Sequence, residues 1–330
     1  MLQRTKNIVV VFLIIGVFFL GTGIGVAFWA NQQLSPVASS DTVSTLFVVP
    51  KGATTTKVAS LLKEKGLVRS DLVFRLYARQ VGLDRELQAG SYQLSPAMSA
   101  SEIVATFREG SQAIWVTLPE GLRVEEVAAR IASADLPEFD PDAFIELAQQ
   151  SEGRLFPDTY LVPRESTAQQ LFALLTRTFQ DKVELKLSQD LQTSDRSLDE
   201  IIIFASLIQR ESNSPEDMRQ VAGVIANRLK IGMKLDIDAT LSYVRGFDPT
   251  TKSWWSAPDP ALKTAASPYN TYLVAGLPPA PIANPGLEAL QAALDPAPTT
   301  ALFYLHTPSG QAYYADTYEE HMANIDRYLR

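Results

Sequence analysis

The sequence predicts an α+β protein carried on a membrane tether. Three observations lead there. An N-terminal apolar run is long enough to cross a bilayer, and a strand-like apolar-Pro-x-Gly segment that hands over to an amphipathic helix occurs twice. From residue 140 to 229 helical periodicity dominates, and it then gives way to short segments dense in Pro and aromatic residues. On this pattern the chain divides into a short N-terminus (1–7), a transmembrane helix (8–30), a linker (31–44), a small β-α module (45–112) and a larger mixed α+β domain (113–330).

Ile8 to Ala30 reads IVVVFLIIGVFFLGTGIGVAFWA, without a charge, and at 1.5 Å per residue such a run crosses a hydrocarbon core of about 30 Å. A cleaved signal peptide would have a shorter apolar region and a small-x-small cleavage site, and neither is convincing after Phe28, so the expectation is an uncleaved anchor. Arg4 and Lys6 precede the run and the next basic residue is Lys51. The positive-inside rule therefore puts residues 1–7 in the cytoplasm and everything after residue 30 beyond the cell (inner) membrane. Gly21 and Gly25 form a GxxxG, a spacing common by chance in Gly-containing spans. The stretch NQQLSPVASSDTVST that follows has the polar, Ser/Thr-rich composition of a linker.

The ordered region opens on the strand-like LFVV. VPKGATTTKVASLLKEKGLV (49–68) and LPEGLRVEEVAARIASADL (118–136) then repeat one pattern, in which Pro50, Gly52, Val58 and Ala59 recur as Pro119, Gly121, Val127 and Ala128. Each reads as a strand, a turn and a short helix that lays residues such as Val58, Leu61 and Leu62 back on the strand. LSPAMSASEIVATF (94–107) is a degenerate third copy. A repeated unit of this kind serves equally as a glycan-binding module or as a packing unit without a ligand.

Helix starts are marked downstream by Asp140-Pro141, by Ser166 or Thr167 before AQQLFALLTRTF, and by Ser197 with Glu200 before IIIFASLIQ. The Pro-bounded EGRLFPDTYLVP interrupts them. Beyond Leu229, SWWSAPDP, SPYNTYLVAGLPPAPIANPG and FYLHTPSGQAYYADT predict short strands and loops.

Composition narrows the chemistry. With 46% hydrophobic residues over 330 positions the chain can build real cores. It has no cysteine, which excludes disulfides and thiolate catalysis, and with only His306 and His321 a zinc cage is not expected. Both histidines lie in a Tyr-rich tail and read as structural or surface residues. A formal charge of -8 without clustered Lys and Arg argues against nucleic acid as a partner.

One carboxylate is out of place. Phe204, Leu207, Ile208 and Glu211 fall at i, i+3, i+4 and i+7, so the glutamate shares the apolar face of its helix. Ser214, Pro215 and Asp217 supply an N-cap, a first-turn proline and a capping-box acid for a second helix. Glu211 therefore ends the first. There the helix dipole and apolar neighbours both disfavour ionisation, and the raised pKa that results suits a general acid. Arg210 is adjacent but points elsewhere on a helix. The alternative is an outward tilt, or an ion pair with Arg228 on the facing helix.

An acid without cysteine, a G-x-S-x-G elbow or a metal cage suits glycoside cleavage better than proteolysis, ester hydrolysis or phosphate hydrolysis. Tyr243, Trp254, Trp255, Tyr269, Asn270 and Tyr272 are candidates for holding sugars, although each alone reads as readily as packing. A hydrolase needs a second carboxylate. Asp236 and Asp238 in KLDIDATLSY would point the same way from an extended segment, and Asp238 would then be the base.

ASLIQRES with VAGVIANRLKIGMKLDIDATLSY (205–212 and 221–243), SPYNTYLVAGLPPAPIANPG (267–286) and FPDTYLVP (156–163) carry a further signal. In these blocks and their order the chain resembles the endolytic murein transglycosylases of the YceG-like (MltG) family. The resemblance implies a single membrane span, a LysM-like module over residues 45–112, and a catalytic domain that cleaves peptidoglycan glycan strands. It implies that Glu211 is catalytic, that Asn227, Asp238 and Arg228 are cleft or scaffold residues, and that no metal or diffusible cofactor takes part. Substrate contacts are expected from Asn227, Asp238, Tyr243, Tyr269, Asn270 and Tyr272. Arg210, Glu211 and Ser212 stand where the family often has Lys-Glu-Thr, and Ala280 replaces a glycine. Besides the glycan and the membrane, cell-wall synthases are the partners such an enzyme would have. Two competing expectations are a hydrolase of the same bond and a non-catalytic glycan-binding scaffold.

Overall fold

In a computed structural model of the chain, residues 22–23, 25–26, 28–39, 43–134, 136–212, 214–257 and 259–329 are described. The span expected at 8–30 falls largely outside them. Among the described residues no helix is long and apolar enough to cross a membrane.

The chain runs β1 (Thr45–Val49), α1 (Thr55–Glu64), α2 (Asp71–Gln80), β2 (Gly90–Leu94), α3 (Ala100–Glu109), β3 (Ala113–Thr117), α4 (Val124–Ala132), α5 (Pro141–Ala148) and β4 (Thr159–Pro163). It continues through α6 (Ala168–Phe179), a π-helical turn, α7 (Ser188–Thr193), α8 (Leu198–Glu211), α9 (Pro215–Lys230) and α10 (Asp238–Arg245). α11 (Leu287–Leu294), β5 (Phe303–His306), β6 (Ala312–Ala315) and α12 (Tyr318–Tyr328) complete it. Two compact units result, residues 1–115 with 161–164 and residues 116–160 with 165–330.

The first unit is built on a four-stranded sheet in the order β1-β2-β3-β4. β1 and β2 pair antiparallel with Thr45 opposite Leu94 and Val49 opposite Gly90, although α1 and α2 lie between them in sequence. Phe47 and Val49 point inward from β1 onto Val58 and Leu62 of α1, all nearly solvent-free. Leu61 is half-buried at the edge of that core. The turn that returns the chain rests on Gly52 at φ +73°, and Gly121 repeats it at φ +77°, a backbone conformation costly for residues with a Cβ. The third degenerate copy also ends in a helix, α3, whose start is fixed by a reciprocal capping box between Ser99 and Glu102.

The second unit is organised around α8. Ile201 to Ile208 are all buried, with Ser206 the one polar side chain among them, so this stretch of the helix is enclosed on every side and runs through the interior. α9 and α11 pack on it. Gly223 in α9 lets the backbone of Ala297 come close, since a Cβ there would sit 2.4 Å from the Ala297 carbonyl oxygen. The predicted helix starts are realised: Asp140 caps α5, Thr167 caps α6, Ser197 forms a capping box with Glu200, and Ser214 accepts from the Asp217 N–H. Beyond Leu229 the segment is less loop-like than expected. α10 and α11 have 8 residues each and α12 has 11; α10 stops at Gly246 and α11 lies between Pro285 and Pro296.

Candidate active site

α8 ends at Glu211, and Ser214 opens α9 three residues later. Phe204, Leu207 and Ile208 are fully buried on one face of α8, so the same face carries the Glu211 side chain toward the protein rather than into bulk water. The residue is half-buried. Its carboxyl is pushed above the usual carboxylate range, chiefly by desolvation; the Asp238 charge adds to the rise, while Tyr304, His306 and the Ala239 N–H oppose it.

The β5–β6 hairpin is laid over this helix corner. Tyr304 pairs with Tyr314 across the hairpin and His306 lies two residues along β5, so all three side chains share one face of the ribbon. Tyr304 Oη donates to Glu211 Oε2 at 2.9 Å. Tyr314 Oη donates to Asp217 Oδ1 at 2.5 Å, and His306 Nε2 lies 2.9 Å from Asp217 Oδ2. Asp217, expected as a capping acid, thus also spends its carboxylate on holding the hairpin. That bond raises the His306 pKa.

α10 approaches from another side with its N-terminus, where the Ala239 N–H faces Glu211 and favours the ionised form. Asp238, exposed at the first position of α10, accepts from Tyr272 Oη at 2.7 Å. Leu235 and Ile237 are buried while Asp236 and Asp238 are exposed. The two acids therefore lie on one side, as alternation predicts, with Asp236 at φ +49° and Asp238 already helical.

The ion pair between Glu211 and Arg228 is not formed. Arg228 Nε donates to the Leu302 carbonyl and Nη1 to that of Leu235, each at 2.6 Å, tying the hairpin entrance to the approach to α10. Among the described residues no Lys or Arg nitrogen lies within 4.0 Å of the Glu211 carboxylate. Arg210, next in sequence, stacks 3.9 Å over Trp255 and donates to the Gly121 carbonyl. The Trp255 Nε1–H is donated to Glu126 at 2.7 Å.

The remaining candidates separate by their bonds. Asn270 is solvent-free; its amide donates to the carbonyls of Leu262, Lys263 and Ala265, and its oxygen accepts from the Tyr272 N–H. It cannot touch a ligand in this conformation and instead shapes the loop that carries Tyr272. Asn227 donates to the carbonyls of Thr299 and Ala301, which makes it scaffold rather than cleft. Tyr243 packs against Tyr269 with ring centroids 4.9 Å apart and the planes tilted by 43°, and it lies under the Arg123 guanidinium at the core margin.

Glu211, Asp238 and Tyr272 are thus brought together, and Tyr304, His306, Asp217 and Tyr314 join them without having been singled out as site residues. Alternation in FYLH places Tyr304 and His306 on one side of a strand, but nothing local says that this strand meets residues 211 and 217. Among the described residues no group of three or more His, Cys, Asp or Glu is placed to hold a metal ion. A cavity of about 730 Å³ lined by Asp190, Arg219, Gln291 and Asp295 contains none of the residues around Glu211.

Fold and site together define an α+β protein with a desolvated carboxyl at a helix–helix corner, roofed by a Tyr/His hairpin. Residues 47–327 match the YceG-like family, and the chain belongs to it. It is 28% identical to the endolytic murein transglycosylase of Bacillus subtilis (strain 168), over 93% of this chain and 91% of that one. It is 25% identical to the protein of that name from Streptococcus pneumoniae (strain R6), over 90% of this chain and 61% of the pneumococcal one. A crystal structure of a YceG-like protein from Listeria monocytogenes superposes with a TM-score of 0.55 at 26% identity, over 85% of this chain and 99% of that one.

Proposed function

We propose that this protein is a peptidoglycan lytic transglycosylase that cleaves the bond between N-acetylmuramic acid and N-acetylglucosamine within glycan strands, with Glu211 as its acid and base. The observation that carries this reading is the state of Glu211: its carboxyl is held above the usual carboxylate range by desolvation, it is half-buried rather than sealed, and among the described residues no Lys or Arg nitrogen lies within 4.0 Å of it. Protonated Glu211 donates to the glycosidic oxygen as the bond breaks through an oxocarbenium-like state. The carboxylate left behind, stabilised by the Tyr304 O–H and the Ala239 N–H, removes the proton of the muramyl 6-hydroxyl. That oxygen closes on the anomeric carbon and gives a 1,6-anhydro end, so the proton count balances and no water is consumed.

Asp238 is the one feature that favours a second reading, hydrolysis of the same bond, because it is an exposed carboxylate near Glu211. Mass spectrometry of products from sacculi digested by the full-length protein separates the two. Transglycosylation yields anhydro ends, and hydrolysis yields reducing ends heavier by one water. Predominantly reducing ends would refute the transglycosylase.

The finer assignments rest on the sequence. The apolar run 8–30, with Arg4 and Lys6 before it, supports a single-pass anchor with a cytoplasmic N-terminus and the remainder outside the cell membrane. The resemblance of residues 45–112 to a LysM module supports glycan binding there. A wall-cutting enzyme held at the membrane would work beside cell-wall synthases, and crosslinking in cells is the test of that partnership. Protease accessibility of the region after residue 30 in spheroplasts tests the topology, and protection of that region would refute it.

A further inference from the structure

The two oxygens of a carboxyl group are equivalent until something distinguishes them, and a group that must first give a proton and then take one back needs one oxygen aimed at the substrate. Around Glu211 the Ala239 N–H of α10 is the backbone donor that faces the carboxyl, and the distinguishing side-chain contact is Tyr304. Its Oη lies 2.9 Å from Oε2, and burial and the Glu211 charge hold the phenol far above its usual pKa, so it is a neutral donor throughout. While Oε2 accepts the phenol proton, it serves as the carbonyl oxygen of the protonated acid, and the acid's own proton resides on Oε1. After transfer the same bond becomes charge-assisted and stronger.

The tyrosine is held in place for this. It is paired with Tyr314 in the hairpin register, and the two neighbours on its face, Tyr314 and His306, are both fastened to Asp217 at the start of α9. Hairpin and helix corner are locked together on either side of the Glu211 contact. The other groups facing the carboxyl are Asp238 and the Ala239 N–H from α10, His306 from β5, Arg210 from α8, Arg228 from α9 and Tyr272 from the loop before residue 273. None of their side chains is within hydrogen-bonding distance of the carboxylate among the described residues.

We propose that Tyr304 is a positioning residue for Glu211: by donating to Oε2 it fixes the carboxyl orientation and reserves Oε1 to deliver and recover the proton. The inference rests on the assignment of Glu211 as acid and base. It is tested on the full-length protein with Tyr304→Phe, which keeps the ring, and with 3-fluorotyrosine at position 304, whose phenol is a stronger donor. Two readouts are taken: the pH profile of anhydro-product release, and the Glu211 carboxyl titration by carbon NMR without substrate, assigned by its absence in Glu211→Gln. Tyr304→Phe is expected to lower kcat by roughly 10–100-fold with KM changed little, and to move the titration midpoint up by about one pH unit, since the lost bond favours the ionised form. Fluorotyrosine is expected to move the midpoint down. An unchanged midpoint in both variants overturns the proposal, as does an unchanged kcat in Tyr304→Phe. If Glu211→Gln is fully active, the assignment of the acid fails, but the midpoint shifts still report whether Tyr304 governs the carboxyl.

Discussion

Glu152 offers a prediction that depends on no substrate. It is half-buried in the second unit, where desolvation pushes its carboxyl from a usual 4.5 up to about 8 even though it accepts from the Val124 N–H at 3.2 Å and from Asn284 Nδ2 at 2.8 Å. Because the folded pKa is the higher one, the folded protein keeps a proton that the unfolded chain has released between those two values. Stability from this group is whole below about pH 4.5 and is lost as pH rises to about 8, at ~1.36 kcal/mol per unit, or about 4–5 kcal/mol in total. Glu152→Gln abolishes the titration. It also sets an amide NH₂ against one of the two donors, forfeiting a hydrogen bond at a cost of about 1–2 kcal/mol. At pH 5 the variant should therefore be the less stable protein, and near pH 8.5 the more stable one by about 2–3 kcal/mol. Urea titrations at several pH values, followed by tryptophan fluorescence with Trp254 and Trp255 reporting on this unit, supply the comparison. A stability difference that stays constant from pH 5 to 8.5 would refute the reasoning.

Two other substitutions test the scaffold. Gly223→Ala places a methyl group 2.4 Å from the Ala297 carbonyl oxygen and 2.7 Å from Thr299 Cγ2. It should force α9 away from that segment and lower the denaturation midpoint by the equivalent of about 1–3 kcal/mol, whereas a midpoint at or above wild type would show that the contact yields freely. Asn270→Ala deserts three carbonyls and one N–H in the loop before Tyr272. We expect faster amide exchange confined to residues 262–272 together with a loss of activity of at least tenfold, the unpaired groups costing about 1–3 kcal/mol; unaltered exchange there would dismiss the role given to this side chain.

Local signals were legible in proportion to how local their physics is. Capping residues announce helix starts because the bond they make spans three positions, and Asp140, Thr167, Ser197 and Ser214 all perform it. The inward acid was legible for the same reason, since helical spacing alone ties Glu211 to Phe204, Leu207 and Ile208. α11 was hidden, because LEALQAAL is eight residues lying between two prolines and offers too little periodicity to separate a helix from a loop. The partners of Glu211 were hidden more deeply. Tyr304 is 93 residues away along the chain, and its role depends on how a hairpin docks. Asn270 shows the opposite error: an amide among aromatic residues looks like a sugar contact, yet whether it faces a ligand or its own loop is decided by three carbonyls within eight residues.

The most direct measurement compares wild type with Glu211→Gln on purified sacculi, counting 1,6-anhydro ends by mass spectrometry while circular dichroism and sacculus binding monitor the fold. The amide oxygen still accepts the Tyr304 bond, so folding and binding should be retained, and with no proton to donate anhydro-end release should fall by a factor of at least about 10²–10⁴. Anhydro ends formed by the glutamine protein at the wild-type rate would contradict it.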